Sequence, residues 1–244
     1  MNLFKWKEVN WRVGHPWGNC HPEHKNSWYG EDSVFLHPDN LIYLQIKNNP
    51  LEYQGEIHPY SCGLISSINV FSYGTYKITA KLPNTPNSWA SLWTCSYNGN
   101  WLHEIDICES EADLKGNYNT IPFVGKPFRS FVNTNFHYKD YMQAHHQVGL
   151  KGIPKCKFWN KIDIDGYNTY TLVFEPTKIE IWVNDTKVRT LKDKKVLEFF
   201  NNDPYFYFIF NQDVNNKFTF ENYQDRDEMI IRDFKYKIYD TRRS

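Results

Sequence analysis

The chain has 244 residues, enough for one large β domain, and its 28 basic and 28 acidic side chains cancel to a net charge of zero. Charges of both signs are interspersed, which argues against nucleic acid or a membrane surface as the main partner, and no apolar run approaches the roughly 18 residues of a membrane span. Nine Trp and seventeen Tyr bias the composition toward aromatics, which favour strands and whose flat faces also stack on sugar rings or bases.

The opening stretch MNLFKWKEVNW lacks the basic-then-apolar layout of a signal peptide, so no address for secretion is legible in it and the compartment is left open. GHPWGNCHPEH follows. His15, Cys20, His21 and His24 are potential metal ligands, but their spacing fits no zinc motif, and the segment reads as a structural loop whose best functional role is to line a cleft. The five cysteines, Cys20, Cys62, Cys95, Cys108 and Cys156, are odd in number and make no CxxC pair, so they read as reduced core residues.

SVFLH, the turn PDN and LIYLQIK predict a hairpin. Alternation from Tyr73 to Leu82 predicts a strand, with Gly74 suited to a close approach. SWASLWTCSY and WLHEIDICE read as strands joined at the turn Asn98-Gly99-Asn100. The insert YKDYMQAHHQVGLKGIPKCKFWNKIDIDG is the least regular region; Lys151, Lys155, Lys157 and Lys161 crowd there, and it reads as a solvated loop. YNTYTLVFEP, KIEIWV, the turn Asn184-Asp185 and TKVRTL return to the strand pattern, KVLEFFNN reads as one short helix, and YFYFIFNQDV and MIIRDFKYKIYD close the chain as strands. The whole reads as a single all-β domain, residues 1–244: a β-sandwich or jelly roll of two antiparallel sheets that bend to leave one concave face open.

The stretch WLHEIDICESEAD poses the chemical question, because it threads acids through a strand-like apolar run. Glu104, Ile105, Asp106 and Ile107 alternate with period two, the pattern of a half-buried strand. An ionised carboxylate in a core costs several kcal/mol, so the acids are expected to share a wet face. Glu109 is five residues from Glu104, the wrong parity for that face, and one β-bulge near Ile107 and Cys108 corrects it. The two glutamates then stand about four strand steps apart, roughly 13 Å between Cα atoms. Side chains leaning inward bring their carboxylates to about 5 Å, the separation of a retaining glycosidase pair.

Glu104-Ile105-Asp106-Ile107-Cys108-Glu109 resembles the E-x-D-x-x-E signature of glycoside hydrolase family 16, which includes laminarinases, mixed-linkage glucanases, agarases, porphyranases and carrageenases. CGLISS…FSYGTYKITAKLP resembles the family's strand pair before the site, SWASLW its W-P-A-F-W segment, NFHYKD its H-Y-G segment, and YNTYTLVFEPTKIEIWVNDTKVR its later hairpin. The resemblance runs from about Trp11 to Asp240. It implies a concanavalin A-like jelly roll with a substrate cleft on the concave face, and a retaining endo-β-glycosidase acting by double displacement. Glu104 is then the nucleophile, Glu109 the general acid and base, and Asp106 the group that steadies the nucleophile. Trp89 and Trp93, four apart on one strand face, match cleft positions that bind sugar, as do His137 and Asn211. Trp101 has the opposite parity and reads as core unless a loop presents it.

The chain departs from the family pattern where Pro is absent beside Trp89, where Lys139 follows Tyr138 in place of Gly, and where FNQDVNN replaces a Gly-rich stretch. These positions bear on substrate choice, so β-1,3-glucan, mixed-linkage glucan and a marine-type galactan all stay open. Two other readings use the same scaffold: a transglycosylase, and a lectin-like binding domain without catalysis. No cofactor or catalytic metal is expected. A structural calcium ion occurs on the convex face of some family members, but no ligand set for it is legible here. The expected partner is the polysaccharide itself, and the expected state is a monomer.

Overall fold

The computed structural model describes residues 3–21, 25–83, 85, 87–98, 101–111, 131–148, 151–154, 163, 166–223 and 228–239. Two large antiparallel sheets dominate. The first runs, in spatial order, through Leu3–Trp6, Val9–Val13, Leu64–Ser67, Phe206–Val214, Ser88–Ser96, His103–Glu111, Phe131–Lys139 and His145–Gln147, and Lys151–Pro154 also pairs with Phe131–Lys139. The second runs through Thr186–Leu191, Lys178–Val183, Asn168–Glu175, Gly74–Lys81, Met229–Ile238, Leu41–Leu44 and Val34–His37. A smaller three-stranded sheet (Ser27–Tyr29, Tyr60–Cys62, Ile46–Lys47) holds the one parallel pair among the described strands, Ser27–Tyr29 with Tyr60–Cys62.

Period-two alternation explains the layering. Along Gly74–Lys81 the side chains of Tyr76, Ile78 and Ala80 are buried while those between them are not. The buried faces of both large sheets merge into one core, where Trp11, Ile105, Ile107, Phe208 and Phe210 of the first meet Tyr76, Ile78, Leu172 and Phe234 of the second. Aromatic pairs bridge the layers: Phe208 meets Phe234 edge-on at 5.1 Å and tilts against Tyr76 at 5.0 Å. Such pairs add about 0.5–1.5 kcal/mol each beyond the area they bury.

The predicted hairpins form. Val34–His37 pairs with Leu41–Leu44 across a turn in which Asn40 takes φ +62°, a left-handed conformation that Asn tolerates. The predicted short helix spans Lys194–Asn202 and is capped by Asp193, whose side chain accepts from the Lys195 and Val196 amides. Its buried residues, Leu197 and Phe200, place Phe200 5.2 Å from the ring of His103, at the start of the acid-bearing strand.

The expectation of an irregular insert after Tyr138 needs correcting. His145–Gln147 and Lys151–Pro154 are both strands on Phe131–Lys139, so this region extends the first sheet beside the acids. Lys155, Lys157, Lys161 and Cys156 lie outside the described residues, as does His24. Among the described residues Cys20, Cys62, Cys95 and Cys108 form no disulfide.

Candidate active site

Three neighbouring strands of the first sheet set the site. His103–Glu111 lies between Ser88–Ser96 and Phe131–Lys139. On one side Glu104 pairs with Cys95, Asp106 with Trp93, Cys108 with Leu92 and Glu109 with Ser91. Ile107 has no position of its own on Ser88–Ser96, so it is the extra residue of a bulge. The other side repeats the slip, since three residues from Asp106 to Glu109 span only Asn135 to Asn133. The bulge therefore sits where parity requires it. It lets Ile107 and Cys108 both enter the core while Glu104, Asp106 and Glu109 all line one cleft. From Cys95 to Ser91 is four strand steps, about 13 Å.

The cleft encloses about 660 Å³ and is walled by tryptophans. Trp89 and Trp93 both line it, as their four-residue spacing predicts. Trp93 donates its indole hydrogen to Asn211 Oδ1 at 2.9 Å, which fixes the plane of the ring. His137 and Asn211 line the cleft as well, so all seven residues singled out from the sequence converge on one cavity.

The acids perturb one another. Burial pushes the carboxyl of Glu104 well above its ordinary range, and the charge of Asp106 pushes the same way; the hydrogen bond from Trp101 and the nearby His137 pull it back. Burial likewise raises Asp106, helped by the charge of Glu109 and opposed by a hydrogen bond with Glu104 and by Arg189. Two buried carboxyls in hydrogen-bonding contact hold a proton between them rather than both ionising. Arg189 supports the strand from beneath, donating to the backbone oxygens of Thr134 and Val148 and lying 4.8 Å from the ring of Phe136.

Several lining residues were not predicted from the sequence. Trp101 is the clearest case. It meets the exception the sequence left open: presented just before the strand at φ +45°, half-buried against the smaller hydrophobic cluster, it donates its indole hydrogen to Glu104 Oε2 at 2.5 Å. A bulky side chain at positive φ is strained, and such strain collects at functional sites. His145, from the insert, contacts His137 Nδ1 through its Nε2 at 2.9 Å. Burial and the neighbouring His137 hold His145 below the usual imidazole range. At another part of the cleft His15, Trp17 and His21 join the lining, with the His15 and Trp17 rings stacked at 4.5 Å. The stretch from His15 to His21 thus forms part of the cleft wall, the functional role its composition allowed. Tyr29 lies behind it, giving its hydroxyl hydrogen to Asp213 Oδ2 at 2.8 Å.

The Glycosyl hydrolases family 16 model matches residues 22–208. No curated protein matches the sequence. Solved structures with the same fold include the laminarinase catalytic domain from Thermotoga maritima, at 17% identity and TM-score 0.61, over 93% of this chain and 88% of that one. Porphyranase B from Zobellia galactanivorans superposes with TM-score 0.67 at 12% identity, over 96% of this chain and 88% of its own. A family 16 endo-glucanase from Bacteroides ovatus does so with TM-score 0.62 at 22% identity, over 98% and 97%. The likeness establishes the jelly roll. Because the family match spans well over half of the sequence and includes the three acids, the chain belongs to glycoside hydrolase family 16.

Proposed function

We propose that the protein is a retaining endo-β-glycoside hydrolase that cuts a β-linked polysaccharide by double displacement. The observation that carries this reading is the register of His103–Glu111. One bulged residue aims Glu104, Asp106 and Glu109 into one cleft and sets the two glutamates four strand steps apart. Carboxylates leaning together from that spacing stand at about 5 Å, which leaves no room for a water between base and anomeric carbon.

Glu104 attacks the anomeric carbon while Glu109 gives its proton to the departing glycosidic oxygen. A covalent glycosyl-enzyme forms. Glu109 then takes a proton from water, which displaces Glu104 and restores both groups. The hydrogen bond between the two acids raises Glu104 and lowers Asp106, and for attack the shared proton passes to Asp106 and leaves Glu104 ionised. Trp89, Trp93 and Trp101 offer flat apolar faces to sugar rings. Neighbours of the same fold are named for laminarin, porphyran and glucan cleavage, and the substrate is a β-1,3- or mixed-linkage glucan or a β-linked galactan.

The test is chemical. Glu104→Gln keeps the fold and the binding of oligosaccharide but loses nearly all turnover, because an amide cannot form the covalent intermediate. Glu109→Ala is slow on polysaccharide and is partly rescued by azide on aryl glycosides with good leaving groups. Retention of more than a few per cent of activity by Glu104→Gln would rule out this assignment.

A further inference from the structure

The row of side chains that holds Glu104 runs on past the cleft. Glu104 stands opposite Cys95 on Ser88–Ser96, and Cys95, which lines the cleft, stands opposite Tyr207 on Phe206–Val214. Residues directly opposite each other on antiparallel strands point to the same face of the sheet, so Tyr207 shares the concave face with Glu104. Burial agrees with that parity: Phe206 and Phe208, on either side of Tyr207, are both in the core between the sheets, whereas Tyr207 is half-buried. Two strand spacings separate Glu104 from Tyr207, about 9.6 Å.

A second ring stands beside it. The Tyr97 amide donates to the Tyr205 carbonyl at 2.9 Å, which continues the pairing of the two strands past Ser96 and Phe206 and keeps Tyr97 in phase with Cys95. The Tyr97 ring lies 5.3 Å from that of Tyr207, and 49% of the residue is exposed. Arg12 reaches the same place. Trp11 is in the core, so Arg12 faces the other way, in a row with Ser66 and Ile209, and Ile209 is two residues from Tyr207. Burial and the Tyr97 hydroxyl push the Tyr207 hydroxyl above its ordinary range while the charge of Arg12 pulls it back, so the three polar heads share one neighbourhood. Flat rings half in water, edged by a guanidinium and two phenol hydroxyls, are the combination that sugar rings require: apolar faces to stack on and placed groups to bond their hydroxyls.

We infer that Tyr97, Tyr207 and Arg12 form a further sugar-binding platform, which holds the polysaccharide beyond the scissile bond and makes the protein favour long chains over short ones. A glycan lying over Glu104 and crossing the strands toward Phe206–Val214 meets these rings next, because they continue its row. Sugar binding follows from the rings, their exposure and their place; that the bound chain is the one cut at Glu104 rests on the catalytic reading given above.

Affinity electrophoresis through gels containing laminarin, lichenan, porphyran or carrageenan tests the platform in a Glu104→Gln background, with thermal unfolding as the control for fold. At least one glycan is expected to retard the protein. Tyr97→Ala and Tyr207→Ala each weaken that retardation about threefold to tenfold, the loss expected for one aromatic contact. Tyr97→Phe keeps the ring and most of the binding, and Phe35→Ala, an exposed ring on the edge strand of the second sheet, changes nothing. Oligosaccharides of graded length cut from the retarding glycan then compete in the same gels, and the difference between Tyr97→Ala and its parent shrinks as they shorten. Should Tyr207→Ala fail to fold, Tyr97→Ala decides alone, since its side chain stands half in solvent at the end of its strand. Retardation by no glycan, retardation unchanged in Tyr97→Ala, or a loss as large on the disaccharide as on the polymer would each overturn the platform. Retardation that depends on Tyr97 in a protein whose wild type releases no reducing ends would uphold the platform and overturn the glycosidase reading.

Discussion

The indole nitrogen of Trp101 gives its hydrogen to one oxygen of Glu104, so the carboxylate meets a sugar with that oxygen already held. This bond favours the ionised form and opposes the upward push that burial gives Glu104. Trp101→Phe keeps the ring and removes the donor. The carboxyl of Glu104 then rises further, so the acid limb of the rate profile moves to higher pH, and turnover on the acid side falls about tenfold or more, as expected for a lost hydrogen bond to a charged group. A pH–rate series on both proteins checks this. A lower rate with an unmoved acid limb would mean that Trp101 only stacks on sugar.

Two junctions decide whether the strands that position these residues assemble. Gly63 joins Tyr60–Cys62 of the small sheet to Leu64–Ser67 of the large one; its amide donates to the Gln45 carbonyl and its carbonyl accepts from the Gln212 amide. A Cβ there would lie 2.6 Å from the Ser33 carbonyl oxygen and 2.7 Å from Leu44 Cα, backbone atoms that cannot swing aside. Gly63→Ala is expected to destabilise by about 1–3 kcal/mol through overpacking. The helix Lys194–Asn202 depends on Asp193 at its N-cap, and Asp193→Ala is expected to cost about 1 kcal/mol. Urea unfolding measures both. A lowered midpoint with an unchanged slope is the expected result, since neither substitution alters the surface exposed on unfolding.

For the molecule as a whole, the sandwich turns the spacing of two side chains into a stereochemical outcome. Glu104 and Glu109 project from one strand of a continuous sheet, four steps apart, into the same cleft. Close carboxylates require two displacements, and each inverts the anomeric centre. On the proposed double-displacement mechanism the first-formed product is expected to keep the β configuration of the substrate. Proton NMR in the first minutes of hydrolysis, before mutarotation mixes the anomers, should show the β anomer leading. An α anomer appearing first would require carboxyls several ångströms further apart, and the double-displacement proposal would fail with it.

Much of this was legible along the chain, because strand periodicity is a local property. The alternation of Glu104 to Ile107 predicts a strand with its acids on one face, and the odd spacing to Glu109 predicts the bulge found at Ile107. Trp89 and Trp93 share a face because four residues is a whole number of pleats. What stayed hidden has physical reasons. The hairpin Leu3–Trp6 with Val9–Val13 turns on Lys7 and Glu8, both at positive φ and neither a residue that advertises such a turn. Trp101, His145 and the His15–Trp17 stack enter the cleft through loop geometry and strand pairing between distant segments. The bond from Trp93 to Asn211 spans 118 residues and that from Tyr29 to Asp213 spans 184. Local pattern reveals which way a side chain points from its own strand; what it meets there depends on which strands the packed core brings alongside.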